Sequence, residues 1–127
     1  MFSQKISSDF IKFINPDFTH KDDRGSLTQI VSGGKWSQVN YIDSSEGSIR
    51  GNHYHELNRE LFYVISGRFF LILEKDGDRL IYDIKESDLF IIEPKVKHSF
   101  EYKQKTSLIS MYDKGVELEN GKMDIIL

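Results

Sequence analysis

The sequence has 127 residues, no cysteine, four histidines and a formal net charge of −3, with 29% charged and 39% hydrophobic residues. The lack of cysteine excludes disulfides, thiolate nucleophiles and cysteine-ligated zinc or iron–sulfur centres. The charge balance argues against a nucleic-acid binder that depends on a broadly basic surface, and the length suits one domain with a self-sufficient core.

The first ten residues, MFSQKISSDF, lack a basic segment followed by an apolar one, so no secretory signal is expected. The longest wholly apolar runs, Leu61 to Ile65 and Phe69 to Leu73, are five residues each, whereas a membrane helix needs about 20. A cytoplasmic protein that does not enter the membrane is the expectation.

In chain order, Ile6 to Ile14 fits either one helical face, through Phe10, Ile11, Phe13 and Ile14, or an added strand. Ser26 to Val31 and Trp36 to Asp43 are predicted strands, separated by Ser32-Gly33-Gly34-Lys35. Arg59 to Ile65 and Arg68 to Lys75 flank Ser66-Gly67, which is predicted to close a tight hairpin. Asp76-Gly77-Asp78 then turns the chain into Arg79 to Ile84. Leu89 to Ile92, stopped by Glu93-Pro94, is followed by His98 to Lys103 and Ser107 to Asp113. Residues 114–127 begin polar and end apolar.

Short apolar runs between turn signals, with no sustained helical period, predict an all-β antiparallel barrel or double sheet, a jelly roll being the usual solution. One domain over 1–127 is expected, with its core at about 20–113, an N-terminal arm and a C-terminal tail. Leu61 to Ile65 and Phe69 to Leu73 are apolar on both strand faces. Both faces therefore need covering, by the core on one side and by a second layer or another subunit on the other. A homodimer is expected.

Three of the four histidines fall in two places, His53-Tyr54-His55 and His98. Positions i and i+2 of a strand share a face, so His53 and His55 should project together. Glu60 follows at a distance that lets a strand begin its return, and His98 would supply a fourth group from a distant strand. Such nitrogen and oxygen donors suit zinc, iron, nickel, copper or manganese. His20 has no partner in sequence and is expected to be exposed or structural. Trp36, alone at a strand start, is expected to pack.

The pattern Gly47-x5-His53-x-His55-x4-Glu60-x6-Gly67 resembles the first motif of the cupin superfamily in full. The second motif is matched in part: Asp88-x5-Pro94-Lys95-Val96-Lys97-His98 keeps the proline and the histidine. It departs at the two glycine positions, has one fewer residue before His98, and carries Tyr102 where the motif ends in asparagine. The turn before His98 is therefore less well specified than the first motif.

Around these residues, Asp23-Arg24-Gly25, Gln38-Val39-Asn40 and Arg50-Gly51-Asn52-His53-Tyr54-His55 form an ordered set. It is similar to sugar-nucleotide cupins of bacterial surface-polysaccharide pathways: the dTDP-4-keto-rhamnose 3,5-epimerases, the dTDP-4-keto-6-deoxyglucose 3,4-ketoisomerases, and above all the zinc-bearing C-terminal cupin domain of capsule UDP-sugar epimerase/reductases. The similarity spans roughly residues 20–113. No counterpart of the reductase domain is seen in this sequence, so the implied activity would stand alone or use a separate reductase.

The resemblance implies an isomerase acting on a 4-keto-6-deoxy sugar linked to a nucleotide diphosphate, with a divalent metal, zinc foremost and iron, nickel or manganese as alternatives. His53, His55, Glu60 and His98 are the implied ligands. A base would take the proton beside the keto group while an electrophile steadies the enolate. In the rhamnose epimerases the histidine matching His53 is that base, whereas in metal-bearing relatives it is a ligand. The spacing of Glu60 favours the ligand role, so the proton must move through another group. Tyr63 and Tyr112 are the preferred donors among the tyrosines. Arg24 and Arg50 are candidates for the diphosphate, since a guanidinium makes two parallel bonds to phosphate oxygens. For Arg24 a surface turn paired with its acidic neighbours is an equal alternative. Three histidines and a glutamate also suit an iron dioxygenase, a phosphosugar isomerase, or a non-catalytic cupin that binds a sugar or a metal.

Overall fold

The computed structural model describes residues 1–127 and contains eleven strands: β1 Ile11–Phe13, β2 Phe18–Asp22, β3 Gly25–Gln29, β4 Gln38–Ser44, β5 Ile49–His53, β6 Glu60–Ser66, β7 Arg68–Lys75, β8 Asp78–Lys85, β9 Leu89–Ile92, β10 Lys97–Tyr102 and β11 Thr106–Tyr112. They form a five-stranded sheet in the order β1-β9-β6-β11-β4, a four-stranded sheet in the order β5-β10-β7-β8, and a separate β2-β3 hairpin. Every pairing is antiparallel. This is the expected all-β jelly roll of the cupin type. No helix is long and apolar enough to cross a membrane.

The two larger sheets close on one apolar core. Phe62 and Val64 of β6, Phe90 and Ile92 of β9 and Leu108 of β11 meet Phe69, Leu71 and Leu73 of β7, Tyr82 and Ile84 of β8, and Phe100 and Tyr102 of β10. The Phe69 and Phe100 rings stack across the β7–β10 ladder, with centroids 5.0 Å apart and planes 7° off parallel. Strand alternation sends the intervening residues outward.

Those outward residues account for the runs that read as apolar on both faces. On the five-stranded sheet Leu61, Leu89 and Ile91 are buried under Ile30, Val31 and Trp36 from the β3–β4 connection. On the other sheet the Phe2 ring lies 4.7 Å from that of Phe70, and the Ser3 N–H donates to the Ile81 carbonyl at 2.6 Å. The chain thus supplies part of its own second layer. Trp36 packs as expected, its indole N–H donating to the Gly33 carbonyl at 3.2 Å.

One local expectation needs revision, one open alternative is resolved, and one strand is new. Ser66-Gly67 does not close a hairpin: β6 pairs with β9 and β11, whereas β7 pairs with β8 and β10. The chain crosses between sheets there, and Gly67 allows it. At φ 107° its backbone is pressed against Thr106, so a Cβ would lie 2.6 Å from the Lys105 carbonyl oxygen. The ambiguous N-terminal stretch forms only the short strand β1, and Phe18–Asp22 is a strand that the sequence pattern did not announce. The Asp76-Gly77 turn, in contrast, is a true two-residue hairpin with positive φ at both central positions, 52° and 84°, which matches the right-handed twist of its strands.

Candidate metal centre and cleft

The site lies between the sheets and is built from two directly opposed cross-strand pairs. His53 of β5 faces His98 of β10, and Glu60 of β6 faces Tyr112 of β11. His55, just beyond β5, completes the group, with its ring centroid 5.0 Å from His53, 5.2 Å from His98 and 5.0 Å from Tyr112. The ring nitrogens of His53, His55 and His98 lie within 4.8 Å of one another. The Glu60 Oε1 oxygen lies 3.2 Å from His55 Nε2 and 3.8 Å from His98 Nε2. A cleft of about 200 Å³ opens onto this group and is lined among others by Arg50, His53, Glu60, His98, Tyr102 and Tyr112.

A one-residue irregularity in the ladder makes this possible. Ser99 pairs with Gly51, yet His98 pairs with His53, so Asn52 is an extra residue on β5. Gly51 and Asn52 both have positive φ, 92° and 60°, a conformation that glycine and asparagine adopt more readily than other residues. The bulge shifts the strand's face by one position. Arg50, opposite Phe100, and His53, opposite His98, therefore both belong to the cleft wall although they are three residues apart.

Two rings are tethered by backbone carbonyls. His55 Nδ1 lies 2.6 Å from the Asp124 carbonyl oxygen, and His98 Nδ1 lies 3.0 Å from that of Val96. A carbonyl only accepts, so each Nδ1 carries the donated hydrogen, and a neutral ring then has its lone pair on Nε2. Both Nε2 atoms turn toward Glu60 Oε1, another acceptor. Three lone-pair atoms thus converge with nothing but a proton or a cation able to join them.

The electrostatics follow. Burial holds His98 down at about 3, and His53 and His55 push it the same way. Burial and the neighbouring His55 also lower His53. Burial works against a charged His55, but Glu60 and Asp124 outweigh it and leave this ring raised. Burial raises Glu60 despite its contacts with His55, Tyr112 and Ser110. Burial and the adjacent Glu60 carboxylate drive Tyr112 upward, so its hydroxyl keeps its proton. Nitrogen and oxygen donors, buried and converging, fit a divalent ion such as zinc, iron, nickel or manganese.

The structure brings together His53, His55, Glu60, His98, Tyr112 and Arg50. It does not bring in Tyr63, which alternation places on the outer face against Leu61, Leu89 and Ile91. Nor does it bring in Arg24, which sits in the β2-β3 hairpin with its side chain 85% exposed and 2.6 Å from Asp22. His20 is exposed beside the same aspartate, at 3.3 Å. Arg50 donates from Nε to Ser44 Oγ at 2.8 Å and from its terminal nitrogen to the Asp43 carbonyl at 3.1 Å. The sequence pattern did not single out Asp124, Asn58 or the Asn52 bulge. Asp124 sits in the tail and has no spacing relation to the motif. The Gly51-Asn52 pair, both tolerant of positive φ, was the one available signal for the bulge.

Among solved structures, the fold is similar to QdtA, a sugar 3,4-ketoisomerase from Thermoanaerobacterium thermosaccharolyticum in complex with TDP, with a TM-score of 0.75, 19% identity, and coverage of 91% of this chain and 86% of that one. It is also similar to the capsular polysaccharide assembling protein CapF from Staphylococcus aureus, with a TM-score of 0.64, 22% identity, and coverage of 87% of this chain and 33% of that one. Among curated proteins, a 3-hydroxyanthranilate 3,4-dioxygenase from Paraburkholderia phytofirmans is 32% identical over 82 residues, 61% of this chain and 47% of that protein. The chain spans about half the length of that relative or less, and the structural likenesses carry the fold alone. The family model described as the polysaccharide biosynthesis C-terminal domain matches residues 20–113, and the chain belongs to that family, built on a cupin fold.

Proposed function

We propose that the chain is a sugar-nucleotide isomerase, an epimerase or ketoisomerase, acting in surface-polysaccharide biosynthesis on a 4-keto-6-deoxy sugar carried by a nucleotide diphosphate. The observation that carries this reading is the pairing of Tyr112 with the histidine–glutamate cluster on the floor of a cleft whose wall bears Arg50. The family match to a polysaccharide biosynthesis domain and the fold shared with a TDP-bound sugar ketoisomerase support it.

In this reading His55, Glu60 and His98, all fully buried, hold a divalent metal, zinc first. The bound ion would supply positive charge that polarises the keto oxygen. His53 is the one histidine of the cluster that is not fully buried, and it lines the cleft. Its place on the cleft wall gives it the base role in place of the ligand role expected from the motif: kept neutral by burial and by His55, it accepts the weakly acidic proton beside the carbonyl. Tyr112, kept protonated, returns a proton to the other carbon or the other face. Arg50 has two of its five donors committed to Ser44 and Asp43, which orients the remaining three for phosphate oxygens. Arg24, outside the cleft, has no part in this assignment.

The molecule is further proposed to act as a cytoplasmic homodimer. Val39 and Tyr41 on the edge strand β4, and Phe18 and Leu27 on the hairpin, are the exposed apolar surface that a second copy would cover. Sedimentation of the wild type against a Val39→Lys, Tyr41→Lys variant tests this; a monomeric wild type would refute it.

The experiment for the activity is incubation with TDP- and UDP-linked 4-keto-6-deoxy sugars, with products read by proton NMR. A rearranged or epimerised sugar supports the reading, and unchanged sugars throughout contradict it. A second reading, an iron dioxygenase, is favoured by the 32% identity to the 3-hydroxyanthranilate enzyme. It predicts iron-dependent oxygen consumption with an ortho-aminophenol substrate and no sugar turnover.

A further inference from the structure

Residues 114–127 lie beyond the stretch matched by the family model, yet they close one side of the histidine site. After β11 the chain makes a small loop, bridged between Glu117 and Met123. It then returns as a strap along residues 54–58. Tyr54 and Ile126 exchange two backbone hydrogen bonds, at 2.8 and 2.9 Å. Between them Asp124 is buried and commits every polar atom it has.

The Asp124 carboxylate accepts from the backbone N–H groups of Glu56 at 2.9 Å, Leu57 at 3.1 Å and Asn58 at 3.1 Å, and from the Asn58 side-chain amide at 2.7 Å. Its N–H donates to the Val116 carbonyl at 2.8 Å. Its own carbonyl accepts from His55 Nδ1 at 2.6 Å. Asn58 locks the same turn from below, donating to the Gly115 carbonyl and accepting from the Lys114 N–H, each at 2.9 Å. The turn clamped this way is the one that carries the chain from His55 to Glu60.

We propose that the C-terminal strap, through Asp124, is a positioning element of the site: it fixes the His55 ring with hydrogen on Nδ1 and the lone pair of Nε2 turned to the cluster, and it sets the 56–58 turn that places Glu60. An imidazole has two nitrogens of nearly equal basicity, and the partner of one decides which is left to bind. Here that partner is a main-chain carbonyl held in place by the aspartate's own side chain. The carboxylate acts on the turn and the carbonyl acts on the ring, so one residue couples the two. The consequence for metal affinity rests on the reading given under Proposed function; the ring orientation does not.

The test uses the full chain with 15N-labelled histidine. Long-range proton–nitrogen correlation spectra should show His55 of the wild type as the Nδ1-protonated form. In Asp124→Ala the signal should broaden or move toward a mixture of the two ring forms. Zinc affinity, measured by competition with a chromophoric chelator, should fall 10–100-fold, as when an outer partner of a ligand is lost. Asp124→Asn, which retains one acceptor oxygen, should fall between, and it decides the matter if the alanine variant does not fold. A single Nδ1-protonated His55 with zinc affinity within twofold of wild type in the folded variant would overturn the proposal. If the wild type binds no zinc, the metal assignment fails, and the ring spectra alone uphold or overturn the role of the strap.

Discussion

His53 and His98 face each other across β5 and β10 because Asn52 is an extra residue between the Gly51–Ser99 pair and the histidine pair. In an unbulged ladder of the same sequence, Asn52 and not His53 would pair with His98 and share the cleft wall with Arg50. The cluster therefore depends on a backbone feature as much as on its ligands. At Gly51, φ is 92° and a Cβ would lie 2.7 Å from the His98 carbonyl oxygen. Gly51→Ala is expected to destabilise the fold by about 1–3 kcal/mol and to weaken metal binding along with it. Urea denaturation and chelator competition check the two effects separately.

The two glycines of the histidine motif have different work. Gly67 is both conformationally unusual and sterically confined by Lys105 and Thr106, whereas Gly47, with φ 84°, has no atom within 4 Å of the position a Cβ would take. Gly67→Ala should therefore cost more stability than Gly47→Ala, for which about 1 kcal/mol is expected from the backbone alone. Equal midpoints in urea for the two variants would contradict this ranking.

Tyr112→Phe removes a hydroxyl beside Glu60 and leaves the ring that packs on His55. Turnover of the keto sugar should fall by a factor on the order of 10² to 10⁴, as for loss of a general acid, with metal content unchanged. His53→Asn should likewise abolish turnover while the chain still takes up its ion through His55, Glu60 and His98. Loss of the ion in His53→Asn would move that histidine from base to ligand. Elemental analysis of the purified variants distinguishes the two outcomes.

The pH dependence of stability follows from His98. Its folded pKa of about 3 lies below the ordinary value of 6.5. Between those values the unfolded chain binds a proton that the folded chain does not, so stability falls as pH falls, with a limiting slope of about 1.4 kcal/mol per pH unit for one such group. His53, also lowered, acts in the same direction. His55 and Glu60, both raised, act in the opposite direction: their contribution is present at low pH and is lost as pH rises through their folded values. The informative quantity is therefore the difference between wild type and His98→Asn, both treated with a chelator. The wild type should lose stability relative to the variant from pH 6.5 downward. Parallel curves would show that His98 is not the titrating group.

Much of this site was legible in sequence because its signals are local. His53, His55 and Glu60 lie within eight residues, and the Asp76-Gly77 turn carries its own conformational preference. What was not legible depends on partners far along the chain. Ser66-Gly67 reads as a hairpin because the flanking apolar runs look alike, and only the packing of Gly67 on residues 105–106 sends the strands to different sheets. Tyr63 and Tyr112 are equivalent as strand tyrosines. Their faces are set by register, which points Glu60 inward and so Tyr63 outward. Asp124 meets His55 across 69 residues, a separation that leaves no pattern in either segment.

Movement of a proton on the carbon beside a sugar's keto group is the step this cleft is proposed to carry out. It is tested most directly by incubating the chain with TDP-4-keto-6-deoxyglucose in heavy water and following the proton NMR signal at C3. Loss of that signal to deuterium is expected with wild type, and retention with His53→Asn. Retention with wild type, for both the TDP- and the UDP-linked sugar, would contradict it.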